Sequence, residues 1–317
     1  AGMVASGLSP GFAALVLEFS SWRWVYLVLV PIVAFGLLGA KLYLEETAET
    51  KSDSPLDLLG VLMGSASVFL VVLGTLQGRS WGWLSPYTIA CFAGTALLLP
   101  LFLLRSSKHP EPLFDPGLFR IRSFTVSNIA VTFAMVGAFT SWFLWPLYLT
   151  EVWGYSKVQV GLAFTPSPVL SAVVAVLGGR WADRRGFRGI MALAALIATV
   201  GFLWLYFFLN EEVRFWFAFF PSSIMFGFGM GVLASQLNSA ALRDIPPEST
   251  ATANGIHQSL RYAVGGMGAA TAITILNGTH EVQRYSLMWL LLGVLMVLVA
   301  PLMWFLYPKQ QNGEENH

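Results

Sequence analysis

The chain is a succession of apolar runs, each about 20 residues long, set apart by short polar connections. A helix of about 20 apolar residues crosses about 30 Å of hydrocarbon. Inside that hydrocarbon the backbone N–H and C=O groups need partners within the segment, and a helix supplies them. The pattern predicts an incomplete helix over 1–17 and nine spans at 24–44, 58–76, 86–104, 124–149, 160–178, 189–209, 215–238, 250–276 and 287–307. The expected fold class is all-α, a polytopic transmembrane helical bundle. Composition agrees. Only 11% of the residues are charged, against about 25% in a soluble domain. Mean hydropathy is +0.66. The net charge of +1 offers no footprint for nucleic acid. Twelve tryptophans and nine tyrosines suit interfacial belts. The single cysteine, Cys91, lies in an apolar run, so neither a disulfide framework nor a cysteine metal site is available.

The densest charge cluster is Gly178-Gly179-Arg180-Trp181-Ala182-Asp183-Arg184-Arg185-Gly186-Phe187-Arg188-Gly189. One unpaired charge at the bilayer centre costs at least about 2.5 kcal/mol. The cluster is therefore expected as a tight polar turn between two spans, and its arginines place it on the cytoplasmic side. Its glycines allow close helix approach and a positive φ. Asp183 can pair with an arginine or cap the next helix. A charge latch that holds one conformation and breaks in another fits these residues. A plain positive-inside loop fits them too.

Orientation follows from counting cations. With the cluster inside and the spans alternating, Lys41, Lys51, Arg105, Lys108, Arg120, Arg122, Arg180, Arg184, Arg185, Arg188, Arg243 and Lys309 fall inside. Arg23, Arg79, Lys157, Arg214 and Arg284 fall outside, and Arg261 lies within a span. The bias agrees with the positive-inside rule and puts the polar tail 308–317 in the cytoplasm.

The 250–276 span is unusually polar. Asn254, His257, Gln258, Arg261 and Gly265 recur on one helical face. Arg261 must face protein or water rather than lipid, and Gly265 and Gly268 offer a close-packing surface. The stripe is a candidate substrate path or domain interface. A snorkelling or loop-capping Arg261 is the structural alternative. His257 can sense protons near neutral pH or be held by a structural hydrogen bond. Gln236 and Asn238 sit near the inner end of 215–238, which also carries the small residues Gly227, Gly229 and Gly231. Asn128, Thr132, Trp142 and Tyr148 mark 124–149. Aromatic faces with scattered amides suit amphipathic organic cations, although packing or interfacial anchoring uses the same residues.

No P-loop, paired metal ligands or nucleophile–base arrangement appears, so neither an enzyme nor ATP-driven chemistry is expected. Gly227-Phe228-Gly229-Met230-Gly231 lacks both the spacing and the preceding strand of a nucleotide loop. Asn277-Gly278-Thr279 is a glycosylation sequon, of consequence only in a eukaryotic secretory pathway.

Several short motifs occur in a fixed order: Trp22-Arg23-Trp24 followed by Pro31, Asp57-Leu58-Leu59-Gly60, Gly82-Trp83, Leu118-Phe119-Arg120-Ile121-Arg122-Ser123-Phe124, and Gly179, Asp183, Arg184, Gly186 and Arg188. Together they resemble the 14-helix drug:proton antiporters of the major facilitator superfamily. Phe187 stands where that family usually has a basic residue. The small-residue helix with Gly7, Pro10 and Gly11 resembles the family's close-packing antiporter helix, with Ala13 and Ala14 in place of its glycines. The chain also begins without methionine, inside an apolar segment, and is expected to be truncated at its N-terminus. By the resemblance it covers about helices 5 to 14. Residues 1–44 would end the first half, 45–123 would hold a loop and two linker spans, and 124–307 would be a complete second half.

The resemblance implies a plasma-membrane carrier that works by alternating access. It would export hydrophobic or cationic small molecules against proton entry, with no bound cofactor. Its partners would be substrate, protons, lipid and the missing first half. Helices 124–149 and 215–238 would line the cavity, and 160–178 and 250–276 would contact the other half. Export of a native metabolite, lipid or siderophore is the alternative within transport. A non-transporting remnant or membrane interaction partner is the alternative outside it.

Overall fold

The computed structural model describes residues 12–13, 16–18, 20–43, 57–109, 114–276 and 281–309. Gly7, Pro10 and Gly11 lie outside them, as do the sequon and the tail beyond residue 309. Among the described residues there are helices and turns and no strand. The helices are α1 (Trp22–Leu27), α2 (Leu29–Tyr43), α3 (Leu58–Trp81), α4 (Pro86–Ser106), α5 (Arg122–Glu151), α6 (Lys157–Phe164), α7 (Pro166–Arg185), α8 (Phe187–Phe208), α9 (Phe220–Leu242), α10 (Thr250–Leu276) and α11 (Val282–Pro301). A 3₁₀ turn, Pro116–Arg120, leads into α5. Single π turns precede α9 (Phe215–Phe219) and follow α11 (Leu302–Leu306).

Among the described residues, eight helical stretches are long and apolar enough to cross a membrane, with α1–α2 and α6–α7 each acting as one. The 27 residues of α10 are also long enough, but its polar stripe lowers its apolarity. The protein is a multi-pass membrane protein built as a helical bundle.

The core is assembled around α5 and α9. Helix α9 packs along α8 and α7, α11 along α8 and α5, and α10 along α5. The α3–α4 hairpin joins through α3, where Thr274 donates to the Thr75 carbonyl at 3.1 Å. Trp145 fills the centre, edge-on to Phe164, Phe219 and Phe226 at 4.9–5.5 Å.

Apolar burial gives little net attraction between helices in lipid, so contact depends on close fit. Gly227 and Gly231, one turn apart on α9, lie against Ser167 and Ser171 of α7. A Cβ on either would meet that backbone at 2.6 Å. Ser171 Oγ donates to the Gly227 carbonyl at 2.7 Å across the same seam. Gly229, between them in sequence, faces the other way and meets Ala194 and Ala198 of α8. Gly265 and Gly268 do the same work for α10, against Phe139 and against Thr140 and Val136 of α5.

The polar connections are shorter than the charge pattern predicts. The turn expected over 178–189 is a single residue: α7 continues to Arg185 and α8 begins at Phe187. Gly186 alone reverses the chain, at φ +80°, with its N–H on the Ala182 carbonyl at 2.8 Å. The polar aromatic stretch 77–83 is likewise mostly helix, ending at Gly82 with φ +92°. Long amphipathic arginines can extend past the hydrocarbon boundary, so a helix need not end where its apolar run ends.

Helix ends gather into two layers. At one end, Arg122 Nε donates to the Leu306 carbonyl at 2.7 Å and Arg188 reaches the Phe305 carbonyl at 3.3 Å. Tyr307 donates to the Ala240 carbonyl at 3.0 Å beneath the Arg243 guanidinium. Two arginines thus serve the unpaired carbonyls of the last helix end. At the opposite end, Tyr148 and Trp153 both donate to the Asn210 carbonyl, at 2.7 and 2.8 Å.

The packing sets a prediction with opposite signs for one substitution. A methyl added at Gly255 would meet nothing within 4 Å, so Gly255→Ala should raise stability by about 0.5–1 kcal/mol through helix propensity. Gly231→Ala gains the same propensity but meets backbone. It should lose about 1–3 kcal/mol net. Unfolding in detergent or bicelles measures both.

Candidate functional site

The polar stripe of α10 faces two different surroundings. His257 is buried against α5, where its Nδ1 lies 3.1 Å from Asn128 Oδ1. Asn128 Nδ2 donates to the Phe124 carbonyl at 2.8 Å, one turn back on its own helix. That bond turns Oδ1 towards the imidazole, so His257 Nδ1 is the donor. It is a side-chain bond between two helices, with both residues almost wholly enclosed.

Asn254, Gln258 and Arg261 sit beside His257 on the stripe and are half-buried. Asn254 Oδ1, Gln258 Oε1 and Arg261 Nε are buried atoms with no hydrogen-bond partner among the described residues. Asn238 Oδ1, near the inner end of α9, is in the same condition. Buried polar atoms cost free energy while unpaired. These four are therefore suited to further polar contact. Arg261 also stands 5.9 Å from the Tyr262 ring, and Tyr262 is edge-on to Phe139, which packs on Trp142. Trp142 and Tyr262 are 51% and 59% exposed, so this aromatic group borders the stripe on an open face.

Gln236, two residues before Asn238 on α9, meets the glycine–arginine motif. It is buried, donates to Ser235 Oγ at 3.0 Å and reaches the Ala175 carbonyl of α7 at 3.4 Å. A Cβ on Gly179 would meet Gln236 Nε2 at 3.4 Å. These residues belong to separate groups in the sequence, and the fold puts them in contact.

The motif itself divides. Asp183 lies on the last turn of α7, exposed, and among the described residues it makes no ion pair. It does not cap α8, whose first turn begins at Gly186 without a side-chain cap. That corrects the capping role, because the turn is too short to carry Asp183 past the next N-terminus. Arg184 is also exposed. Arg188 instead reaches the last helix, and Phe187 packs edge-on to Tyr307 at 6.1 Å. An apolar side chain at 187 thus has a packing partner in this protein.

Of the two aromatics noted on α5, only Trp142 is exposed. Tyr148 is 1% exposed, bonded to Asn210 and edge-on to Tyr285 at 5.1 Å. It is a core residue at the end opposite the arginines and lines no open surface. Sequence reasoning missed Ser171 and Tyr307. A serine and a tyrosine in apolar runs give no pattern until their partners are known.

The profile of the Major Facilitator Superfamily matches residues 1–270 and again 128–316. This chain belongs to the Major Facilitator Superfamily. It is similar to multidrug resistance protein 3 of Bacillus subtilis (strain 168), at 27% identity over 289 residues, covering 89% of this chain and 54% of that protein. It is also similar to the lincomycin resistance protein LmrB of Listeria monocytogenes, at 26% identity, covering 88% of this chain and 59% of LmrB. The cephamycin export protein CmcT of Amycolatopsis lactamdurans is 28% identical, with 81% of this chain and 54% of that protein covered. The chain spans little more than half the length of these relatives. The superfamily is one of transporters rather than enzymes.

The buried bond yields a measurable coupling. Truncating His257 or Asn128 alone to alanine should each destabilise the bundle, by about 1–3 kcal/mol for an orphaned buried partner. A double-mutant cycle should return a coupling of about 0.6 kcal/mol, the average for side-chain bonds between membrane helices. Unfolding in bicelles checks it.

Proposed function

We propose that this chain is the larger part of a secondary active transporter that exports hydrophobic or cationic small molecules in exchange for protons. The observation that carries the proposal is the set of buried polar atoms of Asn254, Gln258 and Arg261 on α10 and Asn238 on α9 that have no hydrogen-bond partner among the described residues, with Arg261 next to exposed Tyr262 and, through Phe139, to exposed Trp142. Amides and a guanidinium can hold polar groups of a substrate while the aromatic faces take its apolar or cationic parts. The relatives named for drug resistance and antibiotic export favour that substrate class.

In this proposal the protein is of the 14-helix type. Residues 1–44 end its first half, 45–123 carry a loop and the linker hairpin, 124–307 form the second half, and 308–317 are a cytoplasmic tail. The carrier is plasma-membrane, with the arginine-rich end in the cytoplasm, in keeping with the cation bias. It needs the remainder of the first half to enclose a two-sided cavity and works by alternating access without a bound cofactor. A proton gradient drives it. Export of a native metabolite, such as a lipid or siderophore, is the alternative within transport. A chain that acts without transporting is the alternative outside it.

The test is efflux from proteoliposomes holding the protein extended by the first-half helices that its relatives possess. Efflux that persists without a proton gradient removes the antiport reading. Efflux of a native metabolite but of no drug replaces the substrate class.

The exposed Asp183 makes the latch testable separately. Because it has no ion-pair partner among the described residues in this conformation, Asp183→Asn should leave the unfolding temperature unchanged. If it pairs with an arginine elsewhere in the cycle, transport should still fall about tenfold, the effect of roughly 1.4 kcal/mol. Equal transport by the variant reduces the motif to a topology signal.

A further inference from the structure

The α3–α4 hairpin carries a feature the transporter reading does not use. Its base is locked by Asp57, which caps α3 through the Gly60 N–H at 2.9 Å. The same Oδ1 accepts from Arg105 Nε and a terminal nitrogen, both at 2.8 Å. The Arg105 bond holds the Asp57 carboxyl below its ordinary range, with the cap bond adding to it. Asp57 is turned inward, its side chain 1% exposed, while Arg105 keeps 37% of its own exposed.

Next to this lock runs an open cavity of about 480 Å³. Its floor is apolar: Leu59 and Met63 lie one turn apart on α3, and Leu101 and Leu104 share a face of α4. Its rim carries the cations Arg105 and, just beyond the α4 end, Lys108, with the His109 imidazole beside them. Among the described residues, no acid lines it. The apolar floor runs along two membrane-crossing helices that bury little of themselves in the bundle. The cations stand at the same end as Arg122 and Arg188, where the polar boundary of a bilayer falls.

We propose that this groove binds an anionic phospholipid, with its phosphate at Arg105 and Lys108 and an acyl chain along Leu59, Met63, Leu101 and Leu104. A soluble anion would gain nothing from the floor, and an uncharged lipid nothing from the rim. The two together, at the boundary depth, select a lipid that is both. Lipid there bridges the α3 start to the α4 end from outside, as Asp57–Arg105 does from within. The proposal goes beyond the transport reading and is measured without transport, so either can fail alone.

Native mass spectrometry of the full 317-residue chain, titrated with phosphatidylglycerol or phosphatidylcholine, tests it. One phosphatidylglycerol should be retained preferentially. Lys108→Gln removes an exposed cation and leaves the Asp57–Arg105 lock intact. It should weaken that binding about fivefold, the effect of one cation near an anionic membrane surface. Lys309→Gln, an equal charge loss at the same end, should leave it unchanged, and inorganic phosphate should not compete at the concentrations of lipid used. Equal retention of phosphatidylcholine overturns the proposal. So does equal weakening by Lys309→Gln, or displacement by inorganic phosphate.

Discussion

The absence of water sets the terms for this protein. Inside hydrocarbon a helix satisfies its own backbone, and its apolar side chains are as content against lipid as against another helix. What holds two helices together is then close fit and the few polar groups that lipid cannot serve. The α7–α9 seam shows the first. Gly227 and Gly231 let α9 settle on the backbone of Ser167 and Ser171, near enough for a hydroxyl–carbonyl bond at 2.7 Å. With Gly229 turned to α8, one short glycine series serves two neighbours and makes α9 the middle of a three-helix layer.

Polar groups do different work at different depths. At the two ends they finish helices: Arg122 and Arg188 on the last carbonyls of the chain's final helix, Tyr148 and Trp153 on Asn210. Between the helices, Asn128 and His257 tie α5 to α10 with one enclosed bond. Asn254, Gln258 and Arg261 of the same stripe keep buried polar atoms unpaired among the described residues. This contrast separates the part of α10 that holds the bundle from the part open to further contact. The same helix therefore supplies both a structural face and a candidate functional one.

The glycine–arginine motif shows how contact changes a reading. As a string of residues it looks like a loop with a carboxylate ready to cap or pair. In the fold it is the end of one helix, one glycine and the start of another. Asp183 and Arg184 are exposed, while Gly179 and Arg188 are engaged by α9 and by the last helix. The motif is a corner braced on two sides, with its acidic residue outside any ion pair among the described residues.

The sequence by itself determined that this chain crosses a membrane many times, because 20-residue apolar runs and excluded charges leave no other solution. It determined the polar face of 250–276 as well, since helical spacing places Asn254, His257, Gln258 and Arg261 side by side wherever the helix lies. Only the tertiary structure decided which of those four is enclosed. That depends on the neighbour each side chain meets: His257 met Asn128, from 129 residues away, and the others kept atoms unpaired among the described residues. Helix ends were also out of reach, because a bilayer boundary tolerates arginines on a continuing helix and composition changes before conformation does. Periodicity is a local property and is written in the chain. Pairing between distant helices is set by which surfaces fit, and no single run of residues contains that.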